Sequence, residues 1–191
     1  MTWLATQCCI PCASLDNASS NACAGILSAP MPTVAVICGS RSDLPVLKGC
    51  FDVLDSYEIS WEASVISAHR QPDALHAYVD EAEAAGVRVF IGAAGLAAHL
   101  PGVLASLTAR PVIGIPLDGG ALGGADALYA VVQMPPGVPV ATVAIGSAGA
   151  KNAAHLAARI LAVADDAVGQ RVRAFRDDQA GKAELRVDPR G

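Results

Sequence analysis

Aromatic residues are scarce in this chain: Phe, Trp and Tyr make up 4% of its 191 residues. Its core must therefore be aliphatic and rich in Ala, which favours close approach of helices to a sheet and to each other. Charge is also thin, at 16% Asp, Glu, Lys and Arg, and the net charge is −5 with no basic block. That excludes wholesale nucleic-acid binding, which needs a surface that neutralises phosphates. No apolar run reaches the roughly 18 residues of a membrane helix, so no membrane span is expected. No histidine precedes His69, and no second cysteine pair with zinc spacing follows Cys9-x-x-Cys12. A metal or redox site there is accordingly not expected. Also missing is the Gly-Lys-Ser/Thr loop of nucleoside triphosphatases.

Residues 1–30 contain no Lys or Arg and show no clear period. A secretory signal needs a basic start, and a transit peptide is Arg-rich. The expectation is a disordered extension, or a start placed too far upstream with Met31 as the natural beginning. Four of the six cysteines, Cys8, Cys9, Cys12 and Cys23, lie in this stretch. Cys38 ends an apolar run and reads as a small buried hydrophobe.

What is abundant is apolar surface. Hydrophobic residues make up 53%, and the mean hydropathy is +0.43. With no membrane span to absorb it, this excess points to buried subunit interfaces, since obligate interfaces resemble cut cores. A larger monomeric core is the alternative.

From Thr33 onward apolar runs alternate with helical spacing. Strands are expected at Thr33–Cys38, Trp61–Ile66, Val87–Ile91, Pro111–Pro116 and Val138–Ile145. Helices are expected at Leu44–Leu54, Pro72–Ala85, residues 97–108 with a break or restart at Pro101, Ala121–Val132, Ala150–Val163 and Asp165–Asp178. Alternating strands and helices mean βαβ units and a parallel sheet. Strands that do not alternate in polarity agree, because both faces are covered. The pattern predicts a three-layer α/β/α sandwich around a central parallel sheet, of flavodoxin-like or Rossmann-like kind. Residues 31–164 form its catalytic body. Residues 165–191 add a helix and tail, within the same domain or at its oligomer interface.

In such folds ligands bind at the carboxyl edge of the sheet, and three loops open there. Gly39-Ser40-Arg41-Ser42-Asp43 offers hydroxyls and amides at a helix start, suited to a phosphate, and Asp43 can accept from ribose hydroxyls. Alternatively Ser42 or Asp43 only caps the helix. In Ser67-Ala68-His69-Arg70, Arg70 suits phosphate and His69 suits proton transfer near neutral pH. The alternative is that the pair simply decorates a helix start, although the helix dipole does not favour a cation there. Gly92 to Gly102 forms a third loop of small residues, on which a flat ring can lie and whose amides can hold a carboxylate. Within it His99 is either a second proton carrier or, as favoured here, a structural residue bonded to a carbonyl. Gln133 to Val140 is a Pro-rich segment that lines either the pocket or an interface. His155 is expected to be structural and His76 exposed.

The motifs GSRSD, SAHRQP, AAHLPG, ALYAVVQMPPGVPV and AIGSAGAKNAA, in that order, closely resemble the class I N5-carboxyaminoimidazole ribonucleotide mutase family, the bacterial phosphoribosylaminoimidazole carboxylase catalytic subunits. The resemblance runs from about Thr33 to Gly191 and includes the terminal DPRG. It implies a step of de novo purine biosynthesis in which a carboxylate moves from N5 to C4 of the imidazole ribonucleotide. It also implies no metal or organic cofactor, a cytoplasmic homo-octamer and a small ribonucleotide as the bound partner. Carried over position by position, His69 is the proton-transferring residue. Ser40, Ser42 and Arg70 hold the phosphate, and Asp43 the ribose. Ser67 and Ala68 form a wall, and Ala94, Gly95 and Leu100 supply backbone contacts near the migrating carboxylate.

Three stretches depart from the family pattern: Leu96 stands where a second glycine is usual, Gln71 where Thr is usual, and Asp118-Gly119-Gly120 differs. Leu96 is expected to exclude a positive φ at that turn. Three other readings compete. The related carboxylase takes aminoimidazole ribonucleotide and free carbon dioxide, but that branch usually has Lys after Ser-Ala-His and lacks AAHLPG. A non-catalytic nucleotide-binding relative is disfavoured by the presence of His69. A relative recruited to another azole in secondary metabolism is left open by Leu96.

Overall fold

The computed structural model describes residues 32–182. The expected N-terminal extension with its four cysteines and the tail from Val187 lie outside the described residues. In chain order the elements are β1 Val34–Cys38, a short 3-10 turn Arg41–Asp43, α1 Leu44–Ser56, β2 Trp61–Val65, α2 Pro72–Ala84 and β3 Val89–Ala94. They continue with α3 Leu100–Leu107, β4 Val112–Pro116, α4 Ala125–Val132, β5 Ala141–Thr142, α5 Gly146–Leu161 and α6 Asp166–Gly181. All strand pairs are parallel, in the order β2-β1-β3-β4-β5. That order is the flavodoxin-like one, whose direction of winding reverses between β1 and β3. Both of these strands end level with each other, since Cys38 is paired with Ala93.

Every residue of β1, β3 and β4 is buried. Successive side chains on a strand face opposite ways, and this splits the core in two. Val34, Val36 and Cys38 point into a cluster with Leu47, Cys50 and Leu54 of α1 and Ala150, Ala153, Ala154, Ala157 and Ala158 of α5. Val168 of α6 joins the same cluster. Ala35 and Ile37 point the other way, to Leu75 and Val79 of α2, Leu104 of α3 and Val131 of α4. Each fully buried Leu, Ile or Phe stabilises by roughly 1.5–3 kcal/mol. Ala at the contact face lets α5 lie close on α1 and β4. Close approach is obligatory at Gly149, where a Cβ would stand 1.7 Å from the Ala144 carbonyl oxygen.

Five elements differ clearly from expectation in their bounds. β3 runs on through Gly92 to Ala94 instead of stopping at Ile91. Gly92 is there because α3 packs on it: a Cβ would meet Leu104 Cδ1 at 2.9 Å and Pro101 Cα at 3.2 Å. α3 begins at Leu100 with Pro101 in its first turn, where proline's missing N–H costs nothing. α4 begins at Ala125, not Ala121, because Gly123 and Gly124 at φ 58° and 83° form a turn first. β5 is two residues long, an edge strand whose approach contains Pro139, which has no amide to donate. α5 conversely starts earlier than its alanines, at Gly146.

Candidate functional site

The loops after β1, β2, β3 and β4 enclose a cavity of about 430 Å³ at the carboxyl edge of the sheet, a size suited to one small ligand. All ten residues singled out from the sequence line it.

After β1, Ser40 breaks the strand in an extended conformation and caps the 3-10 turn. Its Oγ accepts from the Ser42 amide at 3.3 Å, while the Asp43 carboxylate accepts from the Ser40 amide at 3.1 Å. The cap is thus Ser40 with Asp43 in return, not Ser42 or Asp43 alone. The Ser42 hydroxyl donates to Ser40 Oγ at 2.8 Å, so both hydroxyls sit together on the cavity wall. Below them the buried Cys38 thiol donates to the Ser40 carbonyl. Burial, and then the Asp43 charge, push that thiol up to about 11, which removes it as a nucleophile at neutral pH.

After β2 a turn carries residues 68–70 before Pro72 opens α2. Buried Ser67 accepts from Arg70 Nε at 3.3 Å, and Arg70 Nη2 donates to the Gly39 carbonyl at 3.2 Å. The guanidinium is thereby fixed between the first two loops, with further N–H donors left over. Ala68 lies beside it on the wall.

After β3 the chain turns through Gly95 to His99. Ala94 and Gly95 line the cavity floor, and Leu100 closes it from the start of α3. Two expectations are corrected here. Leu96 adopts φ +55°, and Ala98 φ +21°, so the leucine does not exclude the left-handed conformation. His99 does not bond to a carbonyl: its Nδ1 lies 2.8 Å from His69 Nε2, with the rings perpendicular. One of these two nitrogens must carry the hydrogen and the other accept it, so the imidazoles share one proton position.

The loop after β4 contributes Leu117, Asp118 and Gly119, which the sequence reading flagged only as a departure. Asp118 lies over the start of α5, where a Cβ on Gly146 would be 3.3 Å from Oδ1. A carboxylate is favourable at that positive helix end. The signal in the sequence was an acid followed by two glycines at a strand end.

The Pro-rich segment 133–140 does not line this cavity. His76 is exposed and lies 3.5 Å from Asp80, one helical turn on. His155 bonds to the Tyr57 hydroxyl at 2.9 Å, away from the sheet edge. Another cavity, of about 540 Å³, is lined by Val143 after β5 and by Asn152, His155, Arg159, Phe175 and Gln179, and shares no residue with the first.

Known proteins resemble this chain in sequence and in fold. Residues 33–182 match the family model described as AIR carboxylase. An N5-carboxyaminoimidazole ribonucleotide mutase of Pyrococcus abyssi is 53% identical over 148 residues, which cover 78% of this chain and 84% of that protein. The mutase of Escherichia coli strain K12 is 45% identical over 158 residues, 83% of this chain and 94% of that one. Among solved structures, Treponema denticola PurE superposes with a TM-score of 0.73 at 28% identity, covering 79% of this chain and 93% of that one.

Proposed function

The chain belongs to the AIR carboxylase family, and on that premise we propose that it is an N5-carboxyaminoimidazole ribonucleotide mutase, an isomerase of de novo purine biosynthesis. The observation that carries the proposal is the His69–His99 pair, 2.8 Å apart in a cavity that Arg70 and two serine hydroxyls also line. It supplies a proton carrier at one end and an anion cradle at the other.

In this reading Ser40, Ser42 and Arg70 hold the 5′-phosphate through charge-assisted bonds, and Asp43 accepts from the ribose hydroxyls. Ser67 and Ala68 flank the ring. The backbone at Ala94, Gly95 and Leu100 meets the migrating carboxylate. His69 gives a proton to N5; the N–C bond breaks, its electrons remaining on nitrogen, and carbon dioxide is released inside the cavity. C4 then forms the new C–C bond to it, and His69 takes the proton that C4 loses. The proton count closes with one imidazole, and the chemistry requires no metal or organic cofactor. Holding carbon dioxide beside C4 replaces a bimolecular encounter with a local one. His99 holds the proton position of His69 through their shared bond.

The same reading makes the enzyme a cytoplasmic homo-octamer. Exposed Leu122, Tyr129 and Val132 on and before α4 support a buried subunit contact. It also takes α6 as part of the catalytic unit, which the place of Val168 in the core supports.

The family name itself marks the competing activity, in which carbon dioxide arrives free. Each substrate is therefore to be assayed with and without bicarbonate. We expect turnover of the N5-carboxylated substrate to be independent of bicarbonate. Turnover only of the decarboxylated ribonucleotide, and only with bicarbonate, overturns the mutase assignment.

A further inference from the structure

Leu96 occupies a backbone conformation that its side chain disfavours. At φ +55° a β-carbon crowds the following carbonyl, which is why glycine usually takes such positions. Burial does not offset this strain, because Leu96 is 57% exposed. A strained residue at the mouth of a site points to a role in that site.

The strain sets the direction of the side chain. Leu96 reaches from the loop after β3 to the loop after β4, and there it rests on Gly120. A Cβ on Gly120 would stand 2.6 Å from Leu96 Cδ2, and the φ of +73° at Gly120 itself favours glycine. The two loops that carry His99 and Asp118 are thus bridged by one aliphatic contact. On these two loops the cavity is lined by the apolar Ala94, Ala98, Leu100 and Leu117 beside the polar His99 and Asp118.

We propose that Leu96 is a specificity-determining clasp that retains carbon dioxide in the cavity between its release from N5 and its capture by C4. The proposal rests on the mutase reading. Carbon dioxide is small and lacks a hydrogen to donate, so polar groups around the cavity cannot hold it by accepting bonds. Its retention depends on closing the exit, and an aliphatic closure also keeps out water that would hydrate it.

Two variants test this. Leu96→Gly removes the clasp and relieves the backbone, so its melting temperature is expected to hold or rise. Leu96→Asn tolerates the left-handed conformation but puts a polar tip in the bridge. Each protein is given unlabelled N5-carboxylated substrate in buffer containing ¹³C-bicarbonate. The ¹³C content of the C4-carboxylated product is read by mass spectrometry, together with decarboxylated ribonucleotide formed above the enzyme-free rate. We expect the unsubstituted enzyme to give largely unlabelled product. Both variants should raise label uptake and leakage several-fold. If the variants match an unsubstituted enzyme that transfers unlabelled carboxylate, the clasp is overturned alone. If the unsubstituted enzyme itself draws its carboxylate from bicarbonate, the mutase reading falls and the clasp with it.

Discussion

His69 meets His99 at 2.8 Å, and His155 meets the Tyr57 hydroxyl at 2.9 Å. The two bonds are alike in length and differ in everything around them. His69 sits on an exposed turn at the sheet's carboxyl edge, and its partner is another group able to carry a proton. His155 lies inside α5, wedged between Tyr57 at the end of α1 and Phe175 of α6, with ring centroids 5.6 and 4.5 Å away. Burial first, and then the charge of Arg159, push its pKa below the ordinary value. It shares a hydrogen bond with a phenol whose own pKa burial has raised. One imidazole is placed to exchange protons with a ligand; the other joins three helices. Chemical identity does not assign the role, but solvent access and the partner do.

The largest effect that can break this contrast is in turnover. His69→Asn is expected to lower the mutase rate by at least about 100-fold, the low end for loss of a general acid–base group, with ligand affinity kept by calorimetry. Turnover at the original rate would remove His69 from the chemistry. Each histidine also has an arginine nearby, and these should differ too. Arg70→Ala is expected to weaken ribonucleotide binding by about 1.5–3 kcal/mol, the range for a hydrogen bond to a charged group. A change in rate with unchanged affinity would mean that Arg70 is not the phosphate clamp.

The smallest effect belongs to the structural pair. Tyr57→Phe should cost about 1 kcal/mol in urea unfolding, the net worth of a hydrogen bond, and leave turnover untouched. The same pair has a pH signature. The folded-state pKa of His155 lies below its ordinary 6.5, so the unfolded chain binds the extra proton first. Its contribution to stability is therefore complete above about 6.5 and is lost as pH falls from there towards the folded value. Unfolding of His155→Gln should be less sensitive to acid than that of the unsubstituted protein. Equal sensitivity would show that His155 is not the group responsible.

The site was legible to the extent that it is local. SAHR and GSRSD are short runs at strand ends, and a parallel sheet delivers consecutive strand ends to one edge; hence Ser40, Asp43, His69 and Arg70 share a cavity as their order implies. His99 was misread because its partner lies thirty residues away in sequence, and nothing in AAHLPG shows which neighbour its ring will meet. The length of β3 was misread for a related reason. Gly92 resembles a strand stop, and only the press of Leu104 and Pro101 against it explains a glycine inside the sheet.

Periodicity and composition alone determined the alternation of strands and helices, the parallel sheet and the residue types at its carboxyl edge, because these follow from local backbone preference and from which side chains avoid water. Tertiary structure decided the rest: the imidazole that faces His69, the left-handed leucine bridging two loops, and the glycines that a neighbouring helix requires. Each of these depends on atoms far apart in the chain, and their distances exist only once the layers have packed.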